Sequence, residues 1–461
     1  MNFFDSPWLA FTLAVPLVGA ACVGLIRDAL AASRWCLGFA GLTLAGAVVA
    51  CAGYFIGRTP IAGQPIFSVD ELNAPLLPLV ALLYFLTALA TARTKTGRFS
   101  FAGLLVGAGV RLAAFACVAP WPLVGLLALD ACLPYLEFRR HGRQARLYAI
   151  HAALFVGLLV AGWACVGEAG WRGVGSLLLL AAVMVRTGAF PAHVWMTDLF
   201  GKGSFGAALL FAMPLAGVYA AVRLALPVAP GWALEGLGVA AIVTAAYAAG
   251  MAVVERDARR FLAYLFVSHA ALVLVGLGLH TPFAVTGALV MWMSAALLLA
   301  GLGLTLRALE ARVGPLTLTE YRGLYEQSPA LAVCFLLTGL AAVGFPGTSG
   351  FVAVELLVDE AVGGHEAVGL AVVLVAALNG IAVVRAYLAL FTGRRHETGV
   401  ALGITPRERA ALLTIVALIL GGGLIPQAYL ETRHRTAVEL LHDRQRKLDP
   451  AAPTTRTDSF E

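Results

Sequence analysis

Fourteen apolar runs, each about twenty residues long, follow one another along the chain and leave little between them. They centre near residues 17, 46, 83, 109, 129, 157, 183, 215, 245, 268, 294, 340, 378 and 416. A helix needs about 20 residues to cross ~30 Å of hydrocarbon, whereas a membrane strand needs only about 10. The runs are uninterrupted and rich in Leu, Ala and Gly, which excludes strands. With 60% hydrophobic and 13% charged residues, no polar stretch is long enough for a second folded unit. The expected fold is an all-α polytopic membrane protein of about 14 transmembrane helices. Residues 1–430 form its transmembrane domain, and residues 431–461 a polar C-terminal tail.

Sidedness follows from the loops, because Lys and Arg accumulate on the cytoplasmic side. The loops after odd-numbered runs hold twenty basic residues and the alternate loops three, Arg58, Arg172 and Arg223. That places the protein in the inner (cytoplasmic) membrane with both termini outside. The start, MNFFDSPWLAFTL, has an acid and no base before its first run, so it reads as a retained helix and a poor signal peptide. The exported tail is basic in places, but six acids between Glu431 and Glu461 balance its six bases. The net charge of +6 therefore reflects loop asymmetry and not a nucleic-acid surface. Seven cysteines stand singly along the runs with no CxxC spacing, and no phosphate-binding glycine loop appears. No cofactor, metal site or nucleic-acid partner is expected.

Two runs are interrupted in the same way. GAFPAH breaks the seventh, with Arg186 five residues before Pro191, and GFPGTSGF breaks the twelfth at Pro346. A proline removes a helical hydrogen bond, and a central membrane arginine costs roughly 2.5–3.5 kcal/mol on insertion scales. Either interruption alone reads as a kink. Both together, five runs apart and flanked by charges, read as an inverted repeat with an ion path between its halves. Helices 4–8 and 9–13 would then be the two inverted five-helix repeats, each with one Pro-broken helix.

The residues around the first break resemble a known family. RTGAFPAHVWMTDLF (186–200) is similar to the Lys-x-x-x-Phe-Pro-x-His-x-Trp-Leu-Pro-Asp-Ala motif of the antiporter-like subunits of respiratory complex I (NADH:quinone oxidoreductase) and Mrp-type cation/proton antiporters. Phe190, Pro191, His193, Trp195 and Asp198 match, and Arg186 takes the lysine's place. ERDARRFLAYLFVSHAAL (255–272), LYEQSPALAVCFLLTGLAAVGFPGTSGF (324–351) and FSVDELNAPLLPLV (67–80) resemble further family segments in order, over about residues 10 to 425. The resemblance implies a subunit that couples transmembrane flow of protons, or of sodium, to other subunits of a membrane complex. Relatives in this family partner quinone reductases, antiporter subunits, inorganic-carbon uptake proteins and hydrogenases. A non-conducting structural scaffold is the remaining alternative.

The resemblance places the family's fifth-helix glutamate at Asp130 and pairs it with Arg186. Arg111 is a rival partner: the depths of Arg111 and Asp130 differ by only ~5 Å at 1.5 Å of rise per residue. Family lysines fall near Leu215 and Leu298, and the twelfth-helix charge falls near Val354, one residue before Glu355. No lysine stands inside a run; the chain has only Lys95, Lys202 and Lys447. Arginine stays charged across the whole physiological pH range and cannot hand a proton on. The titratable groups at depth are Asp130, His151, His193, His269, Glu355, and at the margin Asp359 and Glu360. His151 reads as a hydrogen-bonded core residue, while His269 reads equally as core or as relay, since an imidazole pKa of ~6.5 suits one. The expected path runs from Asp130, beside Arg186 and Arg111, past His269 to Glu355.

Overall fold

The computed structural model describes residues 7–57, 61–62, 66–213, 215–393 and 403–448. Arg58 and the tail beyond residue 448, both counted above, lie outside them. The protein is an all-helical, multi-pass membrane protein. A helix lies across each apolar run except at residue 215, where the chain breaks.

The first quarter holds α1 (Pro7–Gly24), α2 (Ala29–Gly57), a two-stranded hairpin of β1 (Ile61–Ala62) and β2 (Ser68–Val69), and α3 (Leu76–Leu89). Then come α4 (Phe101–Ala116), α5 (Pro120–Arg140), α6 (Arg146–Val166), α7 (Arg172–Thr187) and α8 (Val194–Lys202). The next run is split into α9 (Phe205–Ala212), α10 (Ala216–Ala220) and a π-helical turn over Ala221–Ala225. The second half holds α11 (Gly231–Val254), α12 (Ala258–Leu279), α13 (Pro282–Val313), α14 (Pro329–Val343), α15 (Ser349–Gly364), α16 (Glu366–Phe391), α17 (Pro406–Leu424) and α18 (Gln427–Leu448). Among the described residues nine helical stretches are long and apolar enough to cross a membrane, or ten if the bent pair α17 and α18 counts as one span.

Burial sorts these helices into layers. α12 and α13 are apolar on every side and almost wholly buried, whereas α1, α2 and α6 turn much of their apolar surface outward. A helix that is hydrophobic all round belongs in a protein core or in lipid, so both patterns follow from one composition. At the basic-loop end, Arg312 pairs with Glu408 at 2.6 Å, and Glu408 also closes a capping box with Thr405 at the start of α17. At the opposite end α18 is amphipathic and packs on α13. Its buried Arg433 donates to the carbonyl oxygens of Leu72 and Glu71 at 3.3 and 2.6 Å.

The two interruptions share one local design. α7 ends at Gly188 (φ 76°) and α14 at Gly344 (φ 87°), both left-handed, a conformation that glycine adopts without a Cβ clash. In each, the next amide reaches back five residues: Ala189 N–H to Met184 O at 2.8 Å and Phe345 N–H to Leu340 O at 3.0 Å. This is the Schellman closure of a helix C-terminus. A Phe-Pro pair follows in both, and a new helix starts within a few residues, with Thr348 capping the second by accepting from Phe351 N–H. The breaks therefore satisfy most of their freed carbonyls internally, as hydrocarbon requires.

Candidate functional site

Three charged side chains converge beside the first break. α4 and α5 are antiparallel neighbours joined by a three-residue turn, which sets Arg111 against Asp130 across a short gap. Asp130 Oδ1 accepts from Arg111 Nε at 3.0 Å and also from Nη2, and its Oδ2 accepts from Arg186 Nη2 at 2.9 Å. All three residues are buried, Arg111 and Asp130 to within 1% of full burial. Both candidate partners thus hold the carboxylate at once, one on each oxygen.

One carboxylate cannot neutralise two guanidinium groups. The excess positive charge is met by carbonyl dipoles and ring faces. Arg111 Nη1 donates to Leu210 O and Phe211 O, both at 3.0 Å, at the C-terminal and therefore partially negative end of α9. The Arg186 guanidinium lies 4.0 Å from the Phe211 ring centroid and also faces Trp195 and Phe155, contacts worth about 0.5–2 kcal/mol each. Arg186 Nε has no hydrogen-bond partner among the described residues.

The motif residues brace the break itself. Trp195 Nε1–H donates to Val185 O at 2.8 Å, which satisfies one of the carbonyls that α7 frees at its end. Phe190 N–H donates to Thr244 Oγ1 at 3.1 Å, and His193 Nε2 lies 3.2 Å from Tyr247 Oη, so α11 supports the break from the side. Phe190–Pro191 is a cis peptide bond. Asp198 pairs with Lys202 one helical turn on, at 2.5 Å.

The second break has its own polar contacts. His269, fully buried on α12, has Nδ1 2.8 Å from Leu265 O and Nε2 2.9 Å from Ala342 O. Ala342 stands in the last turn of α14, so His269 touches the carbonyl end of the second broken helix. A neutral imidazole has one N–H and satisfies only one of those carbonyls. Pro346 lies in the turn before α15, and Ser294 on α13 donates to Ser349 O at 3.1 Å. Glu355 sits on α15 beyond the break but faces outward and is exposed, as is Asp359. Glu360 accepts from Thr281 Oγ1 at 2.6 Å. His151 is half-buried on α6, with Nδ1 2.9 Å from Leu147 O. Asp130, His269 and Glu355 thus occupy three separate settings and do not touch one another.

Two features escaped the sequence reading. Asn379, buried on α16, donates to Ser268 Oγ at 3.0 Å next to His269 and leaves its own Oδ1 without a partner among the described residues. A lone amide in LVAALNGIAVV was the available signal. Leu215, near which the resemblance places the family's eighth-helix lysine, is buried with φ 45° between α9 and α10, a conformation costly for a bulky side chain. The signal there was the proline of FAMPLAG, at position 214, which lies outside the described residues. Leu298, near which the resemblance places the second-half lysine, is buried on α13 against Gly350.

Residues 155–379 match the family described as NADH:quinone oxidoreductase/Mrp antiporter, TM. The chain is 26% identical to NAD(P)H-quinone oxidoreductase chain 4 1 of Nostoc sp., over 96% of this chain and 93% of that protein. Its fold superposes on a chain of respiratory complex I from Thermus thermophilus with bound NADH, at a TM-score of 0.84 and 23% identity, covering 95% of this chain and 99% of the other. It also superposes on a chain of the Mrp complex from Dietzia sp. DQ12-45-1b, at 0.82 and 21%, covering 97% and 100%.

Proposed function

The chain belongs to the NADH:quinone oxidoreductase/Mrp antiporter transmembrane family, and from that premise we propose that it is an antiporter-like subunit that translocates protons and couples their flow to a partner membrane complex. The observation that carries this reading is Asp130, an ionisable carboxyl buried between Arg111 and Arg186 at a broken helix. Ionisable groups at this depth are expensive and mark ion paths in membrane proteins. The relatives support a partner of the complex I or Mrp type.

The finer architecture is part of the same proposal. The chain forms fourteen spans, one for each apolar run, with the fourth to eighth spans related by inversion to the ninth to thirteenth. The identical Schellman closures at Gly188 and Gly344 support the equivalence of the two breaks. Both termini face outward from the cytoplasmic membrane, a reading that rests on the twenty-to-three bias of basic loop residues. Cysteines placed in the loop between Arg140 and Arg146 are expected to react with membrane-impermeant maleimide only from the cytoplasmic side. Labelling from outside would reverse the orientation.

The proton route runs from Asp130 past His269 to Glu355, with waters bridging gaps too wide for direct contact. Arg186 and Arg111 stay charged and fix the electrostatics of Asp130 without carrying protons. Protein reconstituted with its native partner should lose proton flux in His269→Ala and in Glu355→Gln. It should keep partial flux in Arg186→Lys, which preserves the charge. The exposure of Glu355 and the apolar residues at both family lysine positions favour a second reading, a non-conducting scaffold. Unchanged flux in both carrier variants would select the scaffold.

A further inference from the structure

A cavity of about 200 Å³ opens between α4, α5 and the start of α9 and ends against Arg111. It follows α4 from Gly103 to Arg111, ~12 Å at 1.5 Å of rise per residue. Its walls are mainly apolar, among them Val106, Leu133, Leu136 and Phe211, and Leu136 forms an exposed lip. Its mouth is polar and carries Ser100, Glu137, Arg140 and His141.

The two ends differ in what they can bind. At the inner end four of the five Arg111 N–H groups go to Asp130, Leu210 O and Phe211 O, which leaves the guanidinium little capacity for an incoming anion. At the mouth, Arg140 makes, among the described residues, a 3.5 Å contact to Ser100 Oγ. His141 Nδ1 faces its own helix at Glu137 O, leaving Nε2 outward. Glu137, the acid at the mouth, accepts from Ser204 N–H at 3.1 Å. Arg139 near the end of α5, Arg143 in the loop that follows and Arg146 at the start of α6 add further basic charge to this end of the two helices. A narrow apolar slot below a cationic rim is complementary to one molecule with a hydrocarbon chain and an anionic head. Apolar cavities stay dry and accept apolar guests, and basic juxtamembrane loops attract anionic lipid.

We propose that this cavity is a binding site for one anionic phospholipid, with an acyl chain along α4 and its phosphate at Arg140 and His141. The chain's end rests on Phe211 and Leu210, directly beside the Asp130 centre, and closes that side of the centre to water. The site stands on the cavity and its charges and does not depend on proton transport by the chain.

The test uses the full chain, purified in detergent, stripped of lipid, and given equal amounts of phosphatidylglycerol and phosphatidylcholine before native mass spectrometry. One phosphatidylglycerol should survive on the wild type, preferred about tenfold over phosphatidylcholine, the scale expected for one or two basic contacts. Arg140→Gln with His141→Gln should remove the preference while either lipid still binds. Val106→Trp, which fills the slot, should remove both. Leu136→Trp at the exposed lip gives the same readout if Val106→Trp does not accumulate. Millimolar inorganic phosphate should displace neither lipid. Equal retention of the two lipids by the wild type, adducts that persist in both tryptophan variants, or displacement by phosphate alone would each overturn the proposal.

Discussion

Asp130→Asn is expected to abolish coupled transport and to destabilise the folded chain by about 3–5 kcal/mol, the cost of breaking a buried ion pair from one side. Two guanidinium groups would be left facing each other, held by carbonyl dipoles and by the Phe211, Trp195 and Phe155 rings. Arg186→Gln should behave differently. It leaves Arg111 and Asp130 as a neutral pair and removes the excess charge, so its cost should be much smaller, although transport should still fall. Thermal unfolding of both variants in detergent, beside proton flux in proteoliposomes, measures the ordering. Equal destabilisation by the two substitutions would mean that Asp130 does not hold both arginines.

Gly350→Ala should be the most damaging methyl group that can be added at the second break. A Cβ there would sit 1.9 Å from Ala341 O and 3.0 Å from Ala341 C, both backbone atoms of α14. No rotamer relieves a backbone clash, so α14 and α15 must separate. Overpacking of this kind costs typically 1–3 kcal/mol and more where backbone is involved. Because His269 rests on the next carbonyl, Ala342 O, the same shift should disturb the contact between α12 and the break. Gly363→Ala, on the same helix with nothing within 4 Å of its Cβ, is the control. It should be neutral or stabilising by about 0.5–1 kcal/mol, the usual gain of Ala over Gly inside a helix. If the two substitutions lower the unfolding temperature equally, the close approach of α14 and α15 is not what holds the break.

The membrane class, the positions of most helices and the two Gly/Pro breaks were legible in the sequence, because each depends on local physics; the split at Leu215 and the helix α18 over the expected tail were not. Length and hydropathy decide whether a run can span, and a glycine followed within three residues by a proline decides where a helix must stop. The pairing of Asp130 with an arginine was legible too, since an isolated charge in hydrocarbon demands a partner. The resemblance favoured Arg186 and kept Arg111 as a rival, because the two reach Asp130 from different helices. The tertiary structure uses both, on opposite oxygens. Sequence could not tell that His269 meets the carbonyl end of α14, seventy-three residues away, or that Glu355 faces outward while Leu357 on the same helix faces in. In a run that is apolar on every side, hydropathy has no direction, so the face a residue shows is set only when neighbouring helices close around it.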